Sequence, residues 1–314
     1  MDNKLNRRDF FKKSVGGASA ALLGGALLGH RLEAALAGGG RRPDIAVVTG
    51  TDYLKSAMKA VDLLGGMKSF IPRNSRVAIL PNVQSHHPGT FTKPEIVRAV
   101  VRMCREAGAA EINCLSWLPA KYWSAAGLDA ALKEEGAVLK IVDLKDESLF
   151  KPISLPKGKA LREARIMKEL LSHHCFIDMP ITKDHAGNKF TGTMKNLMGI
   201  NSPQTNRIFH SGDKTKPDDI DHLDQCIADL NLAIRPTLCV VDATEIITTN
   251  GPFGPGEIIT PRKVVAGTDR VAIDSYCATL RGLRGEDIKM IKKGYEHGLG
   301  EIDLAKVRIK EVAA

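Results

Sequence analysis

Three strand-like runs in this chain each lead straight into a long polar stretch rich in glycine, and that coupling most limits what the chain can fold into. "RVAIL" (76–80) precedes "PNVQSHHPGTF" (81–91), "CFIDM" (175–179) precedes "PITKDHAGNKFTGTMKN" (180–196), and "TLCVVD" (237–242) precedes "ATEIITTNGPFGPGE" (243–257). Short, nearly continuous apolar runs suit strands buried on both faces, as in a parallel sheet covered by helices. Such strands point their carboxyl ends at one edge, where ligand sites form. The three stretches are therefore expected to meet in one crevice.

The remaining segments agree with this layering. "DIAVVTG" (44–50), "EINCL" (111–115), "LKIVDL" (139–144), "KVVAG" (263–267) and "KVRIKEV" (306–312) read as further strands. Helical spacing runs from Tyr53 towards Leu64, and from Thr92, a candidate cap ahead of Pro94 and Glu95, until Gly108. It returns near 127–135, 218–234, 269–281 and 285–296. The pattern predicts an α/β protein: a parallel-rich layered sheet with helices on both faces. The irregular middle, 145–170, leaves open an alternative of two lobes joined there, with a cleft between them.

The first 37 residues read as an address. Asn6-Arg7-Arg8-Asp9-Phe10-Phe11-Lys12 resembles the twin-arginine export motif, a weakly apolar run from Ser14 to Gly29 follows, and Ala35-Leu36-Ala37 offers small residues for cleavage. The apolar run is shorter than the ~20 residues that cross a bilayer, so a cleaved signal is expected rather than a stable membrane span. An uncleaved anchor is the alternative. The expected partner is the twin-arginine translocase, the destination is the periplasm, and 38–314 is the single mature domain. Residues 1–37 hold six of the 45 Lys and Arg and three of the 36 Asp and Glu, leaving 39 against 33, a formal +6. That moderate, scattered charge describes a solvated surface and gives no reason to expect a nucleic-acid partner.

Six cysteines, Cys104, Cys114, Cys175, Cys226, Cys239 and Cys277, form no C-x-x-C or other tight pair. Neither an iron–sulfur cluster nor a structural zinc site is expected from them, and buried thiols account for them. The chain also lacks a phosphate-binding G-x-x-x-x-G-K-[ST], a G-x-G-x-x-G after a strand, a G-x-S-x-G elbow and an H-E-x-x-H. What remains is His185, Lys195 and His210, with Asn82, Asp242, Glu245 and Asp269. Imidazoles titrate near neutrality and ligate metals, and a lysine anchors a carbonyl or an oxyanion. His185, Lys195 and His210 are the candidate catalytic residues. Asn82, Thr191, Gly192, Asn196, Gly251 and Gly256 are candidate ligand contacts, and His210, Asp242 and Glu245 a candidate divalent-metal set. Against this stand plainer readings: His86-His87 as a solvated turn, His173-His174 as a structural helix end, and Lys195 as the ion-pair partner of Asp242 or Glu245.

His185, the block Thr191-Gly192 through Lys195-Asn196 to Gly199, His210, Gly251-Pro252 and the Asp269 to Asp274 helix start together resemble the domain of unknown function 362 family. The similarity extends over nearly the whole mature chain. The chain lacks the ferredoxin-like cysteine clusters that many of those proteins add. A fainter likeness joins "HAGNKFTGTMK" to the lactate racemase family, where a His precedes Phe-Ser-Gly-x-x-Lys at the same interval. That resemblance implies His185 as acid or base, Lys195 as the tether of a nickel-pincer nucleotide and His210 as a nickel ligand. The family's Asp-x-Thr-Arg motif is replaced by Pro81-Asn82, and its second catalytic His is absent from "SWLPAKYW". The combined expectation is an exported α/β protein with a ligand- or metal-binding crevice, acting as a racemase- or isomerase-like enzyme. The alternative is a non-catalytic periplasmic protein that binds a metal or an anionic ligand.

Overall fold

The computed structural model describes residues 42–212 and 220–314; the twin-arginine segment lies outside them. The strands are β1 (Ile45–Thr49), β2 (Arg76–Pro81), β3 (Glu111–Ser116), β4 (Val138–Ile141), β5 (Phe150–Ser154), β6 (Glu163–Met167), β7 (Cys175–Met179), β8 (Leu238–Ala243), β9 (Ile246–Ile247), β10 (Ile258–Ile259), β11 (Lys263–Gly267) and β12 (Ile309–Ala313). Eight of them form one sheet in the order β12-β1-β11-β8-β7-β2-β3-β4. The β8–β7, β7–β2, β2–β3, β3–β4 and β1–β12 pairs are parallel, whereas β11 is antiparallel to both neighbours. The reason is visible in the chain. No helix intervenes between β8 and β11, and a parallel return would need a long crossover.

Successive strand side chains point to opposite faces, and here both faces are buried. Val47, Ala78, Leu80, Phe176, Val241 and Val265 enter one core cluster, and Val48, Val77, Ile79, Ile177, Val240 and Val264 enter the other. The first core packs the Ile220–Ala233, Arg270–Thr279 and Lys289–Glu296 helices, and the second packs Tyr53–Leu63, Pro94–Glu106 and Leu128–Glu134. The chain is therefore an α/β sheet with helices on both faces. No helix among the described residues is long and apolar enough to cross a membrane.

Segment 145–170 contains the antiparallel β5–β6 hairpin, and its Phe150, Leu155, Leu161, Ala164 and Ile166 join the first core. Two local expectations need correction. Thr92 does not cap the Pro94–Glu106 helix, which is preceded by Lys93 with no side-chain cap. Instead its hydroxyl donates to the Met179 carbonyl at 2.6 Å and accepts from Asn82 N at 3.0 Å, pinning the stretch after β2 to β7. The last strand starts at Ile309, behind a 3-10 turn at Leu304–Lys306 capped by Asp303.

The strand order reverses between β2 and β7: the chain steps from β2 out to β3 and β4 on one side, and from β7 to β8 on the other. A crevice opens at such a reversal, beyond the carboxyl ends of the strands.

Candidate active site

A cavity of about 390 Å³ occupies that position. The stretch after β2 lines it with Asn82, Val83 and Gln84, and the stretch after β7 with Lys183, His185, Thr191, Lys195 and Asn196. Pro252 and Phe253 come from the stretch after β8, and Leu115 to Leu118 from the end of β3. Asn82, His185, Lys195 and His210 thus share one cavity, as the three-loop argument requires.

The stretch after β7 is built in two steps. Ile181 bridges to Asp242 in parallel, and Lys183 then pairs with Thr191 in antiparallel fashion, closing a small loop over 184–190 that carries His185 and Asn188. The short Thr193–Asn196 helix follows. Its first turn is held by Asp274, which accepts from Thr193 N (2.7 Å), Thr193 Oγ1 (2.9 Å) and Met194 N (3.0 Å). A Cβ on Gly192 would lie 2.3 Å from Asp274 Oδ1, so this glycine makes room for the carboxylate, and it does not line the cavity. Gly251 and Gly256 are also structural: added Cβ atoms would lie 2.0 Å from the Asp184 and Thr249 carbonyl oxygens. Neither lines the cavity; Pro252 and Phe253 do.

Lys183, which sequence reasoning passed over, is 0 % exposed. Its Nζ donates to Asn82 Oδ1 at 2.9 Å and to the Thr90 carbonyl at 2.8 Å. Asn82 Nδ2 donates to Asn196 Oδ1 at 2.8 Å, and Asn196 Nδ2 to Asp178 Oδ1 at 2.6 Å. This chain of donors fixes both amides, leaving Asn82 Oδ1 to face the lysine. Lys195 Nζ donates to Asn188 Oδ1 at 2.9 Å and contacts Met198 Sδ at 3.7 Å. Asn188 Nδ2 in turn donates to Asp224 Oδ1 in a very short contact. Both lysines therefore rest on neutral oxygens, and among the described residues no carboxylate lines the cavity.

Electrostatics follow from that arrangement. Burial, reinforced by the neighbouring Lys195 charge, pushes Lys183 down to about 7. Burial pushes Lys195 down to about 8, opposed by Asp224. His185 falls to about 3, through burial and then the charges of Lys195, Lys183 and His210, so its imidazole is uncharged at neutral pH. Asp224 is raised by burial to about 6.

The proposed carboxylate partners stand elsewhere. Asp242 accepts from Thr244 N, Thr244 Oγ1 and Lys93 N, and Glu245 Oε2 pairs with Lys93 Nζ at 2.9 Å. Lys93, and not Lys195, is their cation, which removes the Lys195 ion-pair reading. His210 lines the cavity from the end of the Pro203–Phe209 helix, but neither Asp242 nor Glu245 does. Among the described residues no three His, Cys, Asp or Glu side chains are grouped to hold a metal. For the phosphate of a nickel-pincer nucleotide, the Thr193 and Met194 amides at the helix start are already taken by Asp274. His173 and His174 are structural: His173 Nδ1 contacts the Glu169 carbonyl at 2.6 Å, and His174 Nδ1 accepts from Arg76 N.

The model of a family described as "Domain of unknown function (DUF362)" matches residues 77–279. A thylakoid-associated protein of Synechocystis sp. is 27% identical over 210 residues, covering 64% of this chain and 61% of that protein. The match thus spans about three fifths of that relative. Among solved structures, a Thermotoga maritima protein aligns at a TM-score of 0.48 with 12% identity, over 73% of this chain and 58% of its own. The lactate racemase apoprotein of Thermoanaerobacterium thermosaccharolyticum aligns at 0.45 with 14% identity, over 82% and 57%. The family model spans most of the chain, which belongs to the DUF362 family.

Proposed function

We propose that this member of the family binds a small anion in the cavity and moves a proton on it, as a racemase or isomerase does. One observation carries the reading: Lys183 and Lys195, both buried, line the same cavity as His185, and among the described residues no carboxylate lines it. Asp224 offsets Lys195 only through Asn188; buried cations so weakly offset are costly, and a bound anion supplies further counter-charge. Lys195 is the group that holds the anion. Lys183, brought near neutrality, is matched to accept and return a proton at working pH. His185, cast by the sequence as the proton carrier, is a weak base while the cavity is empty. An anion that offsets the two lysines would raise its basicity in part, since burial, the larger cause, stays in place.

The test is proton exchange at carbon. The full-length protein is incubated in heavy water with a panel of 2-hydroxy and 2-amino acids, and loss of the C2 proton is followed by NMR. Exchange by the wild type and none by a Lys183→Met variant that still binds supports the enzyme. Binding with no exchange across the panel supports the second reading, a non-catalytic carrier of the same anion.

We also propose that residues 1–37 direct export by the twin-arginine route to the periplasm, on the strength of Arg7-Arg8 and the small-residue exit. In cell fractionation Arg7→Lys/Arg8→Lys is expected to hold the chain in the cytoplasm. Undiminished periplasmic protein would contradict this.

A further inference from the structure

We infer that the ligand is a monocarboxylate with an apolar body, its carboxylate against Lys195 and Thr191 and its body against Trp117 and Trp123. This inference deepens the anion-site reading and rests on it. Strand order sets the polarity of the cavity. The cations come from the stretch after β7, and the tryptophans from the segment after β3, Trp123 on the Ala120–Ala125 helix, with β2 between β7 and β3. Two interstrand spacings separate the two walls by roughly 10 Å, so one molecule spans both only if it is charged at one end and apolar at the other.

Each wall is finished in a way that matches its end of such a molecule. On the β3 side, Trp123 is 1 % exposed, and its indole N–H donates to Ser116 Oγ at 3.1 Å. The same oxygen accepts from Leu118 N at 2.9 Å. The polar atoms there are already paired, and Leu115 and Leu118 complete an apolar surface. On the β7 side, Thr191 is 3 % exposed and its hydroxyl has no partner among the described residues. Ser56, Thr182 and Ser275 hydroxyls are unmatched as well, but Thr191 is the one that lines the cavity, where a carboxylate oxygen could accept from it. A phosphate dianion is less suited, since the amides of Thr193 and Met194 are filled by the chain's own Asp274 carboxylate.

The chain's two tryptophans both line this cavity, so intrinsic fluorescence reports on the apolar wall alone. The full-length protein is titrated with acetate, inorganic phosphate, 3-phenylpropanoate and the neutral 3-phenylpropanamide, following heat and fluorescence. The expected result is 3-phenylpropanoate binding about tenfold or more tighter than acetate, with a fluorescence change that acetate does not give. The amide should bind about tenfold or more weaker than the acid, and Trp117→Ala should erase the preference of the acid over acetate. Equal binding of acetate and the aryl acid with silent tryptophans, or phosphate binding tighter than the aryl acid, would overturn the inference while leaving the anion site standing. Binding of none of the anions would remove both.

Discussion

Lys195 Nζ lies 2.9 Å from Asn188 Oδ1, and the carboxylate of Asp224 is reached only through that amide. A buried lysine that bonds first to a neutral oxygen is held in place without being neutralised by direct contact. Replacing it therefore removes a cation from the cavity without stripping a carboxylate of a touching partner.

Lys195→Met should consequently leave the fold intact. The loss is one hydrogen bond to Asn188, about 1 kcal/mol, offset by relief of a desolvated charge. Thermal unfolding is expected to move little while anion affinity drops at least about tenfold. A large fall in the midpoint would show that the lysine serves structure first.

Asp274→Ala should behave in the opposite way. It strips the carboxylate from two amides and one hydroxyl at the start of the helix that carries Lys195. With these donors left buried, the expected cost is about 2–4 kcal/mol, together with loss of anion binding. Denaturant unfolding measures the first and titration the second. A stability unchanged from wild type would contradict the assignment.

The pH dependence has a definite sign. Lys183 and Lys195 stand at about 7 and about 8 in the fold against 10.5 for a free lysine. A base whose folded value is lowered stabilises the fold fully above its unfolded value, and this stability is lost as pH falls through the folded value. The unliganded protein should therefore gain thermal stability as pH rises from about 7 to about 10. Asp224 and Asp274, raised to about 6, act in a lower window: their contribution is present below the unfolded carboxylate value and lost as pH rises through about 6. Melting curves of wild type and Lys183→Met in anion-poor buffers check this, and the variant should show the shallower slope between neutral and alkaline pH. Parallel slopes would rule out Lys183 as a source.

The crevice was legible in the sequence because it follows from local patterns: three apolar runs, each with a polar follower, on strands that end at one edge. The tenants of the crevice were less so. Lys183 was hidden in what reads as a loop, although the burial of β7 runs on without a break through Pro180, Ile181 and Thr182 to Lys183. Asp242 and Glu245 looked available because their partner, Lys93, lies 149 residues from Asp242 in the chain. Gly192 looked like an opening for a ligand because Asp274, which fills the space, belongs to a helix on the far side of β8 and β11 in sequence. Nonlocal partners of this kind leave no periodic trace. Strand β11 was legible as a strand but not in direction, which depends on the missing crossover.

The most direct test of the central claim is a proton count on anion binding. Near pH 8 Lys195 is partly deprotonated in the empty cavity, and an anion bound against it should raise its pKa and draw protons from solution. Acetate and 3-phenylpropanoate are added to lightly buffered full-length protein at constant ionic strength, and proton uptake is followed by pH-stat or by calorimetry in buffers of different ionisation enthalpy. Uptake of up to about half a proton per chain is expected, kept in Lys183→Met and lost in Lys195→Met. Anion binding by the wild type without proton uptake, or the same uptake in Lys195→Met, would contradict this.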